Sequence, residues 1–202
     1  MPSASPESDD ELLLRIRGGD EQAFAQLYRK RQGMIYRFAL HMSGSGALAE
    51  DVTQEVFLAL IRGSCGYDPE RGELSNYLFG IARKLVLRHM ERGRADVALE
   101  SEDGLPAQAP ELAVQPVDLT RQETIELLRR AVLSLPSRYR EVVVLCDLEE
   151  LDYADAALAI GCAIGTVRSR LHRARALLLE KLNRGRRPAT AVDALKPARC
   201  QI

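Results

Sequence analysis

At 202 residues and a net charge of −1, the chain is long enough for one domain or two small ones, and its overall charge would hide a nucleic-acid binder. Tryptophan is absent, aromatics make up only 5% and aliphatics dominate the apolar share, a balance that favours an all-α protein. No apolar run approaches the ~20 residues of a membrane span, and the first residues lack a signal-peptide pattern, so a soluble, cytoplasmic chain without membrane insertion is expected. Residues 1–9, rich in Pro, Ser and Asp, are expected to be disordered. A short helix over Asp10–Arg17 with Leu13 and Ile16 inward stops at Gly18-Gly19, and Asp20 caps a second helix carrying Phe24, Leu27, Tyr28, Ile35, Phe38 and Met42 at helical spacing. Ser43–Gly46 ends it. A third helix follows over Ala47–Arg62 with Leu48, Val52, Val56, Ala59 and Leu60 as its stripe. Gly63–Gly72 is a loop, and a fourth helix over Leu74–Arg92 buries Leu74, Leu78, Ile81, Ala82 and Leu85.

Residues 95–119 change character: Pro106, Pro110 and Pro116 lie among Ala, Gln and acidic residues without a helical stripe, which predicts a flexible linker. Thr120 and Glu123 have the spacing of a capping box for a helix that carries Ile125, Leu128, Val132 and Leu135 up to Pro136. The next helix, over Ser137–Asp147, turns Tyr139, Val142, Val143 and Cys146 inward. These elements divide the chain into a helical bundle over residues 10–94, a linker over 95–119, a second small helical domain over 120–184 and a loose tail over 185–202.

The densest signal is Leu151–Leu179, which reads as a helix-turn-helix: a first helix over Tyr153–Ile160 capped by Asp152, a turn at Gly161–Ile164, and a basic second helix starting near Thr166 as its cap. Ala157 is small where the helices cross, Gly161 permits a positive φ in the turn, and Val167 packs back onto the first helix. Val167, Leu171, Ala174 and Leu178 make one buried face, leaving Arg168, Ser169, Arg170, His172, Arg173 and Arg175 on the remaining arc. From Arg168 to Arg187 eight basic residues face Glu180 alone, whereas ordinary solvated faces mix signs. Arginine pairs bidentately with guanine and neutralises phosphate, so this helix suits the major groove. Acidic and basic residues are segregated along the rest of the chain, with Arg83–Arg94 forming the other basic stretch.

Four cysteines (Cys65, Cys146, Cys162, Cys200) lie far apart without a C-x-x-C pair, and three histidines (His41, His89, His172) show no ligand spacing, so free thiols and no metal site are expected. There is no Cys/His/Asp set, paired-carboxylate motif or phosphate-cradling glycine loop, so no catalytic residues and no cofactor are assigned.

In this order GDEQAFAQLYRKR (Gly19–Arg31), AEDVTQEVFLAL (Ala49–Leu60), LSNYLFGIARKLVLRHMER (Leu74–Arg92), LPSRYREVVVL (Leu135–Leu145) and GTVRSRLHRAR (Gly165–Arg175) resemble an extracytoplasmic-function, or group IV, sigma factor of the sigma-70 family, over about Asp10–Leu182. The resemblance implies sigma region 2 before the linker, sigma region 4 after it, no domain between them, and no enzymatic activity. It implies as partners bacterial core RNA polymerase (the clamp of the largest subunit and the flap of the second largest), promoter DNA and an anti-sigma factor. Asp51, Gln54 and Glu55, one turn apart on the third helix, would grip the basic clamp helix. The loop Gly63–Gly72 and the start of the fourth helix would capture a flipped base of the minus-ten element, with Tyr67 and Tyr77 stacking and Asn76, Arg83, Lys84 and Arg88 on the strand or its phosphates. Tyr77 stands where the family commonly has tryptophan, Gly80 where it is often basic, and Phe79 is either a stacking ring or core. Arg168, Ser169, His172 and Arg173 would face the minus-thirty-five element while Thr166 and Arg170 hold phosphates. The reading from another class is a self-contained dimeric operator-binding regulator; against it stand the lack of a heptad seam and of a ligand-binding or receiver domain.

Overall fold

The computed structural model describes residues 7–62, 66–100 and 121–186, and the side chains of these except at 93–100 and 184–186. The expected disordered start, most of the linker, Thr120 of the capping box, the tail, Cys65 and Cys200 lie outside the described residues. Among those described, the regular structure is helical throughout. It comprises α1 (Asp9–Arg17), α2 (Glu21–Ser43), α3 (Gly46–Ile61), a 3-10 turn at Pro69–Arg71, α4 (Leu74–Glu100), α5 (Arg121–Leu133), α6 (Ser137–Val143), α7 (Tyr153–Ile160) and α8 (Ile164–Arg186).

Local chemistry sets most boundaries. Ser8 and Glu11 form a reciprocal capping box on α1, and the Asp20 carboxylate accepts from the Gln22 and Ala23 amides at the head of α2. Those amides and the Arg15 guanidinium hold the Asp20 carboxyl below the usual carboxylate range. Gly44 closes α2 in the left-handed conformation at φ 76°. In the first half, α2, α3 and α4 bury Leu27, Ile35, Phe38, Val52, Val56, Phe57, Leu74, Leu78 and Ala82. Phe57 meets Tyr28 edge-on with centroids 4.8 Å apart, and Phe79 meets Phe38 at 5.5 Å. Phe79 is therefore a core ring.

Several expectations shift, most by a turn or less and the end of α4 by about two turns. On α1 it is Leu12 and Leu13 that are buried, with Ile16 only partly so. On α5 the buried stripe is Leu127, Ala131 and Val132, whereas Ile125 and Leu128 are exposed. The expected inward register there follows from counting apolar residues on a helix that has them on two sides. Helix α4 runs to Glu100 instead of ending at Arg92, into the residues read as linker; Ala95 and Val97–Leu99 are permissive for helix and no proline intervenes before Pro106. Pro136 does not only end α5 but sits at the start of α6, which then widens into a π-helical segment over Val144–Leu148. Helix α8 begins at Ile164, so Thr166 lies inside its first turn and is not its cap.

The two halves share one apolar core. Arg140, on α6, is buried and donates to the backbone carbonyls of Met42 at the end of α2 and of Leu133 and Leu135 at the end of α5. A guanidinium there satisfies carbonyls that a helix C-terminus leaves without partners and meets the negative end of the helix dipole. The Gly44 turn lies in the same joint: a Cβ built on it would stand 2.9 Å from Leu133 Cδ1. Gly44→Ala is expected to lower stability by about 1–2 kcal/mol from the left-handed backbone alone, and by more once Leu133 is displaced; thermal unfolding beside the wild-type chain measures it.

Candidate nucleic-acid interface

Helix α7 is capped as the sequence predicts: Asp152 accepts from the Asp155 amide at 2.8 Å, and Gly161 ends the helix at φ 77°. Val167, Leu171, Ala174 and Leu178 are buried along α8, which fixes the opposite arc outward. Arg168, Ser169, His172 and Arg173 are exposed on that arc, and Thr166 and Arg170 are half-buried. Arg168 lies over the Tyr153 ring at 5.8 Å from its centroid. The Arg173 guanidinium beside the Tyr139 phenol holds its pKa below the usual tyrosine value, with the nearby charge of Arg138 acting in the same direction. Arg138 itself stacks 4.8 Å from the centre of that ring. Sequence reading missed Arg138, because its helix reads as core; only its position next to an inward aromatic could have marked it. Arg175, by contrast, is tied to Asp147 at 2.6 Å.

The first-half residues fall into two groups. Asp51 and Gln54 are exposed on α3, and Glu55 beside them holds Arg88 at 2.8 Å and contacts His89 at 3.2 Å. Arg88, expected on the strand side, thus stands against the expected polymerase-binding face. Leu58 and Ile61 continue the Asp51 face at helical spacing and are exposed. They went unnoticed because the apolar stripe of α3 was assigned wholly to the core; their offset from Val52 and Val56 was the available signal.

Around the loop, Tyr67 and Tyr77 are ring neighbours with centroids 5.6 Å apart. The Tyr67 hydroxyl donates to Asp10 at 2.8 Å, and burial, reinforced by this carboxylate, pushes its pKa up to about 12. Lys84 is exposed. The two rings, Asn76 and Lys84 line one wall of a cavity of about 330 Å³, whose other wall is Leu158–Gly161 of α7. Asn76 is buried and donates to Asp155 at 2.6 Å. Arg83 Nε donates at 2.8 Å to one oxygen of Glu141, and Arg170 Nη1 donates at 3.0 Å to the other. Glu141 is only 2% exposed. One buried carboxylate therefore joins an arginine expected on the minus-ten strand to one expected on the minus-thirty-five duplex. Gly80 sits directly beneath α7, where a Cβ would come into ordinary van der Waals contact with the Ala159 backbone.

Among the described residues, no group of three or more His, Cys, Asp or Glu side chains is placed to hold a metal ion, and no helix is long and apolar enough to cross a membrane. Cys146 and Cys162 are free thiols, and burial pushes the Cys146 thiol up to about 11, away from thiolate reactivity.

Residues 27–95 match the model for sigma-70 region 2, and residues 125–178 match that for sigma-70 region 4. The chain is 34% identical to the ECF RNA polymerase sigma factor SigM of Mycobacterium tuberculosis over 176 residues, 87% of this chain and 85% of that protein. It is 35% identical to the ECF RNA polymerase sigma factor SigE of Mycolicibacterium smegmatis over 171 residues, 81% of this chain but only 64% of that longer protein. In fold it is similar to the sigma factor RpoE of Bartonella quintana, solved in complex with the anti-sigma factor NepR, with a TM-score of 0.63, 27% identity, and coverage of 79% of this chain and 96% of that one.

Replacing Arg173 by alanine is expected to weaken binding to the preferred duplex by about 1–3 kcal/mol and to relax specificity at one base position, the signature of a lost base-edge contact. Fluorescence anisotropy with the preferred duplex and with single-base variants of it measures both.

Proposed function

Since this chain belongs to the extracytoplasmic-function sigma factors of the sigma-70 family, we propose that it binds core RNA polymerase, recognises minus-thirty-five and minus-ten promoter elements and promotes transcription initiation. The observation that carries the reading is a pair of exposed faces of opposite chemistry on separate helices. Asp51 and Gln54 of α3 suit a basic clamp helix of the largest polymerase subunit, while Arg168, Ser169, His172 and Arg173 of α8 suit the major groove of the minus-thirty-five element. Glu55 completes the first face, and Thr166 and Arg170 flank the second as phosphate contacts.

Tyr67, Asn76, Tyr77, Arg83, Lys84 and Arg88 are assigned to the melted minus-ten strand, where stacking offsets the few kcal/mol that unpairing a base costs. Residues 10–94 act as region 2 and 120–184 as region 4, with 95–119 tethering them and the exposed Ile125 and Leu128 of α5 available to the polymerase flap. No catalysis, metal or cofactor is required for this role, which places the protein in the cytoplasm with polymerase. Control by an anti-sigma factor is part of the proposal; the solved complex of the Bartonella quintana relative supports it.

Run-off transcription from a promoter library, with purified bacterial core polymerase and with or without the chain, tests the reading. Initiation from a shared two-part promoter is the expected result. Salt-sensitive duplex binding by the free chain with no initiation would favour a self-contained operator-binding regulator. Asp51→Arg is expected to reduce retention on core polymerase by about tenfold, the size of one lost charge-assisted contact, while leaving duplex binding by α8 unchanged.

A further inference from the structure

Of the rings assigned to the minus-ten strand, Tyr67 has a tie that comes from outside its own loop. Its hydroxyl donates at 2.8 Å to the carboxylate of Asp10, 57 residues upstream on α1. Asp10 is itself held in place. Ser8 and Glu11 cap the first turn of α1 reciprocally, and Leu12 and Leu13 are buried. The neighbouring Asp9 pairs with Lys30 at 2.7 Å and with Arg31 at 2.6 Å, both on α2. The first turn of α1 is therefore clamped to the bundle through one acid and presents the next acid to the loop.

This tie fixes what the ring can do. A tyrosine side chain turns about two torsions, and a phenol bonded at its far end is confined in both. Tyr67 then rests against Tyr77, with centroids 5.6 Å apart and planes inclined at 53°, so that each ring supports the other. Tyr77 stands on α4, which the core holds through Leu74 and Leu78. Downstream of Tyr67 the loop is fixed by Asp68, whose carboxylate accepts from the Glu70 amide at the head of the 3-10 turn. The Tyr67 hydroxyl is also committed as a donor. Burial, reinforced by the Asp10 carboxylate, pushes its pKa up to about 12, so it keeps its proton, and the tie, throughout the neutral range. The ring is left to meet a base by its face, a contact that every base offers.

We propose that Asp10 is a positioning residue for the minus-ten strand: it holds the Tyr67 ring against Tyr77, so that the pair forms a preset stacking platform for an unpaired base. This rests on the sigma-factor reading above and extends the strand-reading machinery to the first helix of the chain. Asp10 makes no contact with the strand, whose phosphates its charge would repel. It acts through the phenol, by removing the cost of ordering that ring when the strand arrives.

Holoenzyme reconstituted from core polymerase and the full-length chain tests this. The probe is a single-stranded oligonucleotide with the non-template minus-ten sequence of a promoter selected from the library, in which 2-aminopurine replaces each base in turn. With the wild-type chain, fluorescence at one position is expected to fall on binding, because that base stacks on a tyrosine. Asp10→Ala is expected to weaken this quenching and to lower strand affinity about three- to tenfold, the range spanned by one hydrogen bond. Retention on core polymerase and binding to the minus-thirty-five duplex are expected to match the wild type, which separates positioning from a loss of fold. Tyr67→Phe keeps the ring but loses the tie, and the double variant is expected to be no worse than either single one. Asp10→Asn, which keeps an acceptor oxygen, is expected to recover most of the quenching. Wild-type quenching and affinity in Asp10→Ala overturn the positioning, as do losses that add in the double variant. A holoenzyme that initiates but quenches no minus-ten position overturns it too, and leaves the sigma-factor reading standing. A wild-type chain that never initiates with polymerase overturns that reading, and the positioning with it.

Discussion

The guanidinium of Arg140 lies where the ends of two helices from different halves of the chain converge, and the joint between those halves is built around it. Its donors reach the carbonyls of Met42 and Leu133 in the last turns of α2 and α5, and that of Leu135 in the turn after α5. A buried cation without such partners would be costly, so the side chain stays in place only while α2 and α5 end together. Glu141, the next residue, points its carboxylate to a different set of partners, Arg83 on α4 and Arg170 on α8. Two adjacent residues of one short helix thereby hold four longer ones, and the apolar core that runs through both halves fills the space between these polar ties.

This arrangement explains why the surfaces differ in availability. Helix α3 presents its acidic and apolar outer face because its buried stripe is spent on α2 and α4. Helix α8 presents its arginines because Val167, Leu171, Ala174 and Leu178 anchor the opposite side. Helix α4 has neighbours on more than one side, with α2 and α3 behind it and α7 in front. What a side chain on α4 can touch therefore depends on whether α7 is present, a property of the joint and not of the helix.

Much of the fold was legible in the residues. The Asp20 and Asp152 caps, the Gly44 and Gly161 stops and the buried face of α8 follow from local chemistry and spacing, and all appear as expected. The arc of α8 was legible for the same reason, because a helix with one apolar stripe has only one other side. The partners of Asn76, Arg83 and Arg170 were not legible. Asp155 lies 79 residues from Asn76 and Glu141 lies 58 from Arg83, and no local rule links residues so far apart. Glu141 stands between Arg140 and a run of three valines, where an acid beside a base reads as part of an outward polar pair; only neighbours distant in sequence make it a buried tie. The misassigned register of α5 has a similar origin, since Ile125 and Leu128 are as apolar as Leu127 and only packing decides which face turns in.

The shared carboxylate of Glu141 has a further thermodynamic meaning. Each of its oxygens accepts from one arginine, and on the proposed assignment those arginines serve two promoter elements separated along the DNA. The two guanidiniums repel each other across the shared carboxylate, so a phosphate that draws Arg170 away leaves Glu141 holding Arg83 the more firmly. Linkage makes the effect reciprocal: a strand that captures Arg83 strengthens the remaining Arg170 pair by the same free energy. On that assignment the tie sets the two half-sites against each other for as long as Glu141 stays buried.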